Sequence, residues 1–484
     1  MNATDQHLPT PRPCWIAGRA EQSDQTLSVH HPYDGNEIAT VCVPSADQVE
    51  RAVAAAAAVV REFRTTPAHV RAAALDHVSR QLAARSDEVA EMITAENGKP
   101  LRWANLEVNR AVSTFRFAAE EARRFSGELQ RLDTDPTAAG RLAVIRRVSR
   151  GPVLGIAPFN FPLNLVAHKI APAIAVGAPI IVKPAPRTPL SALLLGELLA
   201  ETDLPAGAFS VLAVGNEETM ALVKDERLPV VSFTGSGPVG WSLMDAAPRK
   251  QVVLELGGNG AAVVCADWTD LDFAAKRIAT FSNYQAGQSC IAVQRVIVER
   301  PVVDEFLPKL LDAIGALRTG NPHDPDVEVG PLVDESAAER VEKWVDEAVA
   351  AGAKLLAGGK RDGASVEPTV LSEVPIDQNV WAEEVFGPVL SVAVVDSVDE
   401  AFASVNDSKY GLQAGLFTRD VQVAFRARAE LEVGGVIVGD VPSFRADQMP
   451  YGGVKGSGFG REGVRSAMAD LTEERVMVLT GLEL

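Results

Sequence analysis

The stretch Val153-Leu-Gly-Ile-Ala-Pro-Phe-Asn-Phe-Pro-Leu-Asn-Leu-Val-Ala-His-Lys-Ile-Ala-Pro-Ala-Ile-Ala-Val-Gly-Ala-Pro-Ile-Ile-Val-Lys183 decides the fold. Val153–Ala157 and Pro179–Lys183 are short apolar runs, and residues 163–176 between them suit a helix. Two buried strands joined by a helix make a parallel crossover unit, because parallel neighbours need a connection long enough to return over the sheet. The rhythm continues through strands at Phe209–Val214 and Val230–Thr234, with crossings at 189–202, 216–224 and 238–247. After Gly258 it starts again, with Ala261–Cys265, a helix across 270–285, Gln294–Val298 and a helix across 301–317. Further units follow at 334–351, 366–371, 389–394, 399–406, 413–417 and 420–431. The reading is α/β, with two doubly wound units of comparable size meeting near Leu256–Gly258.

Upstream, residues 1 to about 45 read as a loosely structured arm with a hairpin turn at His31-Pro-Tyr-Asp-Gly-Asn36. From Asp47, Val49, Val53, Ala56 and Val60 recur at helical spacing, with Ser45 as the cap. Helical pattern follows through His69–Asn97 and Trp103–Phe125. Leu142, Val144 and Val148 alternate after a turn at Asp135-Pro136, which predicts a pair of strands across 128–150. The Gly-rich loop Tyr451–Gly460 leads to a helix and a terminal strand, Arg475–Leu479. A lone terminal strand needs an edge to join, and another subunit is one candidate supplier.

A chain of 484 residues favours more than one packed unit, and 47% hydrophobic with 23% charged residues is a globular composition. The formal net charge of −18, with no Lys/Arg block, argues against a nucleic-acid partner. The apolar stretch Ile170–Val182 contains Pro172 and Pro179 and is too short to span a bilayer, so no membrane partner is expected. Cys14, Cys42, Cys265 and Cys290 form no CxxC pair, which fits a reducing compartment and leaves no zinc spacing. The only close histidine pair, His30-His31, is adjacent and far from the other motifs, so no metal is expected. The start is polar and Pro-rich, without a basic region or an apolar run; the expected setting is cytoplasmic.

Three motifs carry chemistry. Cys290 ends Phe281-Ser-Asn-Tyr-Gln-Ala-Gly-Gln-Ser-Cys290 and precedes Ile291-Ala-Val, a loop of small residues feeding an apolar strand. A lone cysteine is most often a small core residue, and no Lys or Arg is adjacent to activate this one. Glu255 follows an apolar run and precedes Gly257-Gly258, at the end of a buried strand. There it is either a paired strand-end acid or a base whose pKa burial raises. Asn160, between Phe159 and Phe161 and flanked by Pro158 and Pro162, is either a turn former or a rigid amide donor for an oxyanion. Gly235-Ser-Gly-Pro-Val-Gly240 is a literal GxGxxG, which makes Glu255 a candidate ribose-binding acid as well. Lys183 is either a solvated strand end or a cation for ribose or phosphate.

In their order these stretches, with Lys183-Pro-Ala185, Phe233-Thr-Gly-Ser236, Leu254-Glu-Leu-Gly-Gly258, Gly287-Gln-Ser-Cys290, Glu383-Glu-Val-Phe-Gly-Pro388 and Pro450-Tyr-Gly-Gly-Val-Lys455, resemble the aldehyde dehydrogenase superfamily from about residue 30 to 480. The resemblance implies a Rossmann-like nucleotide-binding domain (1–127 and 151–257), a catalytic domain (258–455) and a small β oligomerisation flap with the tail (128–150 and 456–484). It implies a homodimer or homotetramer acting on a small-molecule aldehyde with NAD or NADP. Cys290 would attack the aldehyde carbon, Asn160 and the Cys290 N–H would hold the oxyanion, and Glu255 would activate the water that hydrolyses the thioester. The cofactor would meet Ile156, Ala157, Pro158, Phe159, Lys183, Ala185, Pro186, Arg187, Gly215, Phe233, Thr234, Gly235, Ser236, Val239, Leu256, Gly257, Glu384 and Phe386.

Where many NAD-preferring members carry Glu three residues after the Lys, this chain has Pro186 and then Arg187. The expectation is that NADP is accepted, because an anion facing its 2′-phosphate is missing. Phe161, His168, Ser289, Ile291, Phe444, Arg445 and Tyr451 match positions lining the family's aldehyde tunnel or its mouth. Arg445, the obvious cation among them, suggests a small polar or acidic aldehyde in the manner of the lactaldehyde and semialdehyde subgroup, or else is a structural Arg. Two alternatives stand beside this: coenzyme A as thioester acceptor, which the presence of Glu255 disfavours, and a non-catalytic binding or structural protein on the same scaffold.

Overall fold

The computed structural model describes residues 11–481; the start of the arm (1–10) and the end of the tail (482–484) lie outside the described residues. The first sheet has eight strands in the order Arg19–Glu21, Cys14–Ile16, Phe209–Val211, Ile180–Lys183, Val153–Ile156, Val230–Thr234, Gln251–Glu255, Gly458–Phe459. Its five central strands are parallel and its outer ones antiparallel. The strand order reverses between Val153–Ile156 and Val230–Thr234, the place where a doubly wound sheet opens a crevice at its carboxyl edge.

Both faces of this sheet are covered, which is why its five central strands are buried almost throughout. Val153, Ile180, Val182 and Val230 pack with the helices Ala68–Ala84, Leu101–Arg124, Asn164–Ala175 and Leu190–Ala200. Leu154, Ile156, Ile181 and Val231 point the other way, into the core shared with Ala46–Thr65, Asn216–Lys224 and Gly237–Ala246. Ser45 caps Ala46–Thr65 in a reciprocal box with Gln48, as its sequence position suggests.

The arm departs from the expectation of a loose segment. Cys14–Ile16 and Arg19–Glu21 form the sheet's antiparallel edge, with Trp15 opposite Val211 and the Ala17 N–H donating to Ser210 Oγ at 2.9 Å. Runs of three residues are too short to show a strand period, so only the tertiary edge reveals them. The hairpin at the expected turn is present, Gln25–His30 against Glu37–Val43.

The second sheet has seven strands: Lys354–Ala357, Thr369–Ser372, Val389–Val395, Val293–Glu299, Gly260–Val264, Gln413–Phe417 and Gly435–Val438, all parallel except the first. Leu271–Asn283 and Arg300–Gly315 cover one face; Val398–Asn406 and Val421–Glu430 cover the other. The chain leaves the first sheet at Glu255 and enters the second at Gly260, so the carboxyl edge of one meets the amino edge of the other. A separate three-stranded antiparallel sheet joins Glu128–Arg131, Arg141–Ser149 and Thr472–Thr480. The tail divides. Gly458–Phe459 pairs with Leu254 and Glu255, and the helix Val464–Asp470 packs on Asn164–Ala175, before the chain joins the small sheet. Among the described residues no helix is long and apolar enough to cross a membrane, and no cluster of three metal-ligating side chains occurs.

Candidate active site

The side chains that the sequence reading singles out sit on the two facing sheet edges, on the loops that join them, and on two flanking helices, which carry His168 and Val239. Cys290 lies just before Val293–Glu299. The loop that brings it there holds Gln285, Ala286 and Gly287 at φ of 54°, 54° and 71°. Left-handed backbone in two non-glycine residues is strained and persists only when its surroundings hold it. Gln288 supplies that hold, accepting the Val333 N–H at 2.9 Å and donating to Gln285 O at 3.2 Å. Gly258 faces the thiol residue so closely that a Cβ there would lie 2.2 Å from the Cys290 carbonyl oxygen. Only glycine leaves room for Cys290 against the crossover between the sheets.

Cys290 Sγ lies 3.0 Å from Tyr451 Oη, and Ile291, Leu412 and Tyr451 pack around it. Burial pushes the thiol up to about 12, with the Tyr451 hydrogen bond pulling the other way. Asn160 follows Val153–Ile156 and reaches across the crevice, donating from Nδ2 to Gln288 O at 3.0 Å. Its own carbonyl accepts Lys99 Nζ at 2.9 Å and Gln285 Nε2, so the residue is clamped from both sides. An amide nitrogen carries two hydrogens, and among the described residues the second has no acceptor. The Cys290 N–H is likewise unpaired.

Glu255 is buried, and among the described residues neither carboxyl oxygen has a hydrogen-bond partner. Its Oε1 would lie 2.8 Å from a Cβ on Gly452, the residue after Tyr451, so the acid and the thiol's partner share one wall. Burial raises the Glu255 pKa well above the ordinary carboxylate value; the Glu462 carboxylate adds to that, while Arg445 and Lys169 oppose it. Glu462 behaves oppositely. Burial works to raise it, but Lys169 and Arg445 outweigh that and hold it at about 2. It accepts Lys169 Nζ at 3.4 Å, Thr234 Oγ1 at 3.1 Å and Arg445 Nη2 at 3.0 Å.

Around the tunnel residues, His168 Nε2 bonds Asp447 at 3.0 Å, and Arg110 and Asn164 bond the same oxygen at 2.8 and 3.2 Å. His168 Nδ1 and Arg445 Nε are buried without partners. Phe161 carries Lys99 Nζ 4.2 Å from its ring centroid. Ser289 accepts the Tyr284 hydroxyl, and Phe444 is exposed.

The residues expected to meet the cofactor gather along the same crevice. Ile156 pairs with Lys183, and the Ala157 N–H donates to Lys183 O at 3.0 Å. Phe159, after Pro158, meets Phe386 edge to face at 5.8 Å. Phe233, Thr234, Gly235 and Ser236 run from strand into the helix Gly237–Ala246, which exposes Val239. Leu256 is buried, and Gly215 starts the helix Asn216–Lys224. The residues fit a dinucleotide. Lys183 is a buried ammonium with no partner among the described residues, and burial lowers its pKa. Glu384, pressed on Gly257 and accepting the Gly258 N–H at 2.9 Å, is raised by burial to about 7. Ser236 leaves the helix start without a side-chain cap. Beyond Ala185, Pro186 and Arg187 border a cavity of about 570 Å³, and Arg187 ion-pairs with Asp334.

Sequence reading missed Lys99, Arg110, Lys169, Asp447 and Glu462. Lys169 had a signal, as a cation inside an otherwise apolar helix; Glu462, beyond the Gly-rich loop, had none.

A family profile described as the aldehyde dehydrogenase family matches residues 19–477. The chain is 42% identical over 466 residues to a 3-sulfolactaldehyde dehydrogenase of Priestia aryabhattai, covering 96% of this chain and 97% of the relative. It superposes with a TM-score of 0.96 and 43% identity on aldehyde dehydrogenase 21 from Physcomitrella patens in complex with the reaction product succinate, covering 99% of this chain and 100% of that one. The NADP complex of a glyceraldehyde-3-phosphate dehydrogenase from Methanocaldococcus jannaschii matches at TM-score 0.90 and 34% identity, over 95% of this chain and 100% of that one.

The buried, unpartnered Glu255 carboxyl makes a prediction for stability. Its folded pKa lies above its unfolded one, so between the two the native state holds more protons and stability falls as pH rises. Glu255→Gln is therefore expected to melt at a higher temperature than the parent at neutral pH and above. The two melting temperatures should converge as pH falls to the ordinary carboxylate range, which thermal melts across pH will check.

Proposed function

The chain belongs to the aldehyde dehydrogenase family, and from that premise we propose that it oxidises a small polar or acidic aldehyde to the carboxylic acid through Cys290, with Glu255 as the base for hydrolysis. One observation carries this reading. Cys290, a clamped Asn160 with a free amide hydrogen, and a buried Glu255 with no partner converge on one crevice between the two sheets. A buried carboxyl without a hydrogen bond is costly for stability alone, and a base for water explains its retention.

The Cys290 thiolate attacks the aldehyde carbon, and the oxygen takes up the negative charge of a thiohemiacetal. The free Asn160 N–H and the unpaired Cys290 N–H are the donors for that oxyanion. NAD or NADP, held by Lys183, Glu384 and the start of the helix at Ser236, supplies a hydride acceptor when bound. The thioester left on Cys290 is attacked by water, Glu255 takes the water's proton, and the thiolate leaves as the acid departs. Because the Glu255 pKa is raised, it is a strong base whose ionised fraction grows with pH. Glu255 favours water over coenzyme A as acceptor.

The acid preference rests on Arg445, whose buried Nε lacks a partner. Three of the relatives support the acidic reading, one with succinate as product, one named for 3-sulfolactaldehyde and one for glyceraldehyde 3-phosphate, and others named for lactaldehyde, a neutral hydroxyaldehyde, support the small polar one. NADP acceptance rests on Pro186 and on Arg187, which stays half exposed beside Asp334. The small sheet leaves Leu129, Val476, Met477 and Val478 exposed on its surface, and a second copy of the chain is the proposed cover, in a dimer or tetramer.

Cys290→Ala should form no reduced cofactor with any aldehyde. Glu255→Gln should give a burst of reduced cofactor equal to the enzyme present, then turnover slowed by about 10²–10⁴-fold, in rapid-mixing absorbance; a slowed burst would place Glu255 before the thioester. Arg445→Leu should raise KM for acidic aldehydes relative to neutral ones of equal length by about tenfold; an equal change in both would remove the role. With both cofactors compared on one aldehyde, the parent should turn over NADP, and Arg187→Ala should lower kcat/KM for NADP more than for NAD.

A further inference from the structure

Among the described residues no lysine, arginine or histidine is hydrogen-bonded to the Cys290 sulfur; its partner is the Tyr451 hydroxyl at 3.0 Å. That phenol is fixed on several sides. The Arg445 guanidinium lies 3.8 Å from its ring centroid, and Glu462 holds Arg445 at 3.0 Å. Glu462 also pins the Tyr451 backbone, through N–H to carbonyl bonds of 3.0 and 2.7 Å exchanged in both directions. A single buried acid thus sets both the place of the tyrosine and the cation against its face. The tyrosine is buried in an apolar patch with Ile291 and Leu412, where bulk water is a poor substitute for its hydroxyl.

We propose that the Tyr451 hydroxyl is a catalytic hydrogen-bond donor to the Cys290 thiolate, and that Arg445 is a positioning residue that keeps the phenol on the sulfur. A phenol is the weaker acid of the two, so the hydroxyl keeps its proton and donates while the thiol proton leaves to solvent. The bond strengthens as charge gathers on sulfur. It weakens when the sulfur forms its bond to the aldehyde carbon and the charge moves to oxygen. It is restored when the C–S bond of the thioester breaks and the electron pair returns to sulfur. The other charged and titratable groups around the thiol are Glu384, Glu255 and Arg445, with Tyr284 behind Ser289. The two carboxylates work against the thiolate, which leaves Tyr451 and Arg445 to favour it. The role rests on Cys290 being the nucleophile, and it goes beyond a wall of the aldehyde tunnel.

Alkylation of Cys290 by iodoacetamide across pH, followed by mass spectrometry of its peptide, reads the thiolate without substrate. Cys14, Cys42 and Cys265 are buried and serve as internal controls. Tyr451→Phe keeps the ring and removes the donor. Its apparent thiol pKa should rise by about one unit; the neutral-pH rate should fall only about threefold, because a more basic thiolate is a better nucleophile. The acid limb of kcat/KM should move by the same amount. Arg445→Met should raise the thiol pKa more in the parent than in the Tyr451→Phe chain, where only the direct effect of its charge is lost. An unmoved alkylation profile in Tyr451→Phe, with or without a change in KM, overturns the donor role. Equal Arg445→Met shifts in both backgrounds overturn its action through Tyr451. Aldehyde oxidation by the parent, lost in Cys290→Ala, tests the proposed reaction separately, so the two failures are distinguishable.

Discussion

The buried Glu462 carboxylate is the interaction on which the rest of the site depends. It joins Lys169 on the helix Asn164–Ala175, Thr234 at the end of a central strand, and Arg445 on the loop before Tyr451. Three elements from distant parts of the chain are held by one acid. A buried charge is retained only when its partners match it, and loss of one partner leaves an uncompensated charge inside. The same cluster sets the field at Glu255, where the Glu462 charge resists ionisation and Lys169 and Arg445 favour it. Two acids in one buried neighbourhood therefore do different work: Glu462 is held charged by Lys169 and Arg445, and Glu255, raised by burial, is left without a hydrogen-bond partner among the described residues.

The opposed sheet edges explain why the site is where it is. Carboxyl ends of parallel strands turn into loops that expose backbone N–H groups, and amino ends receive chain from loops on the other side. With Glu255 and Gly260 only a short crossover apart, loops from both edges share one crevice. Gly258 makes the approach possible, because any side chain there would collide with the Cys290 carbonyl. The strained Gln285–Gly287 turn then carries the thiol to the seam, with the Gln288 amide and the Asn160 clamp holding the loop. The strain sits beside the chemistry, as expected where geometry is kept for function rather than stability.

Much of the architecture was legible in the chain. The strands Val153–Ile156, Ile180–Lys183 and Val230–Thr234 are buried at every position because helices cover both faces, and such mostly apolar runs separated by helical stretches read plainly. Ser45 and Gln48 sit in the chain as a cap and its partner, so the first long helix was legible from its start. The edge strands at Cys14–Ile16 and Arg19–Glu21 were not, since three residues show no period and the first of them joins the sheet through a strand almost two hundred residues later. The tail was read as one piece, yet its first part completes the first sheet and its last part the small one.

Sequence alone determined the fold class and the order of the motifs around Asn160, Glu255 and Cys290, because these lie in local patterns of apolar runs, prolines and glycines. Tertiary structure decided what those groups feel. The sequence leaves Arg445 open between a cation for the aldehyde and a structural Arg; in the fold it is stacked on Tyr451 and paired with Glu462, with Nε unpartnered among the described residues. Arg187, expected beside the cofactor's ribose, pairs with Asp334. Tyr451 looked like a tunnel wall and is bonded to the thiol. Hydrogen bonds and ion pairs act over a few ångströms of space, whereas the residues that form them are separated by long stretches of chain. Periodicity and motif report only on near neighbours in sequence, so the partners of buried charges appear only once the chain has folded.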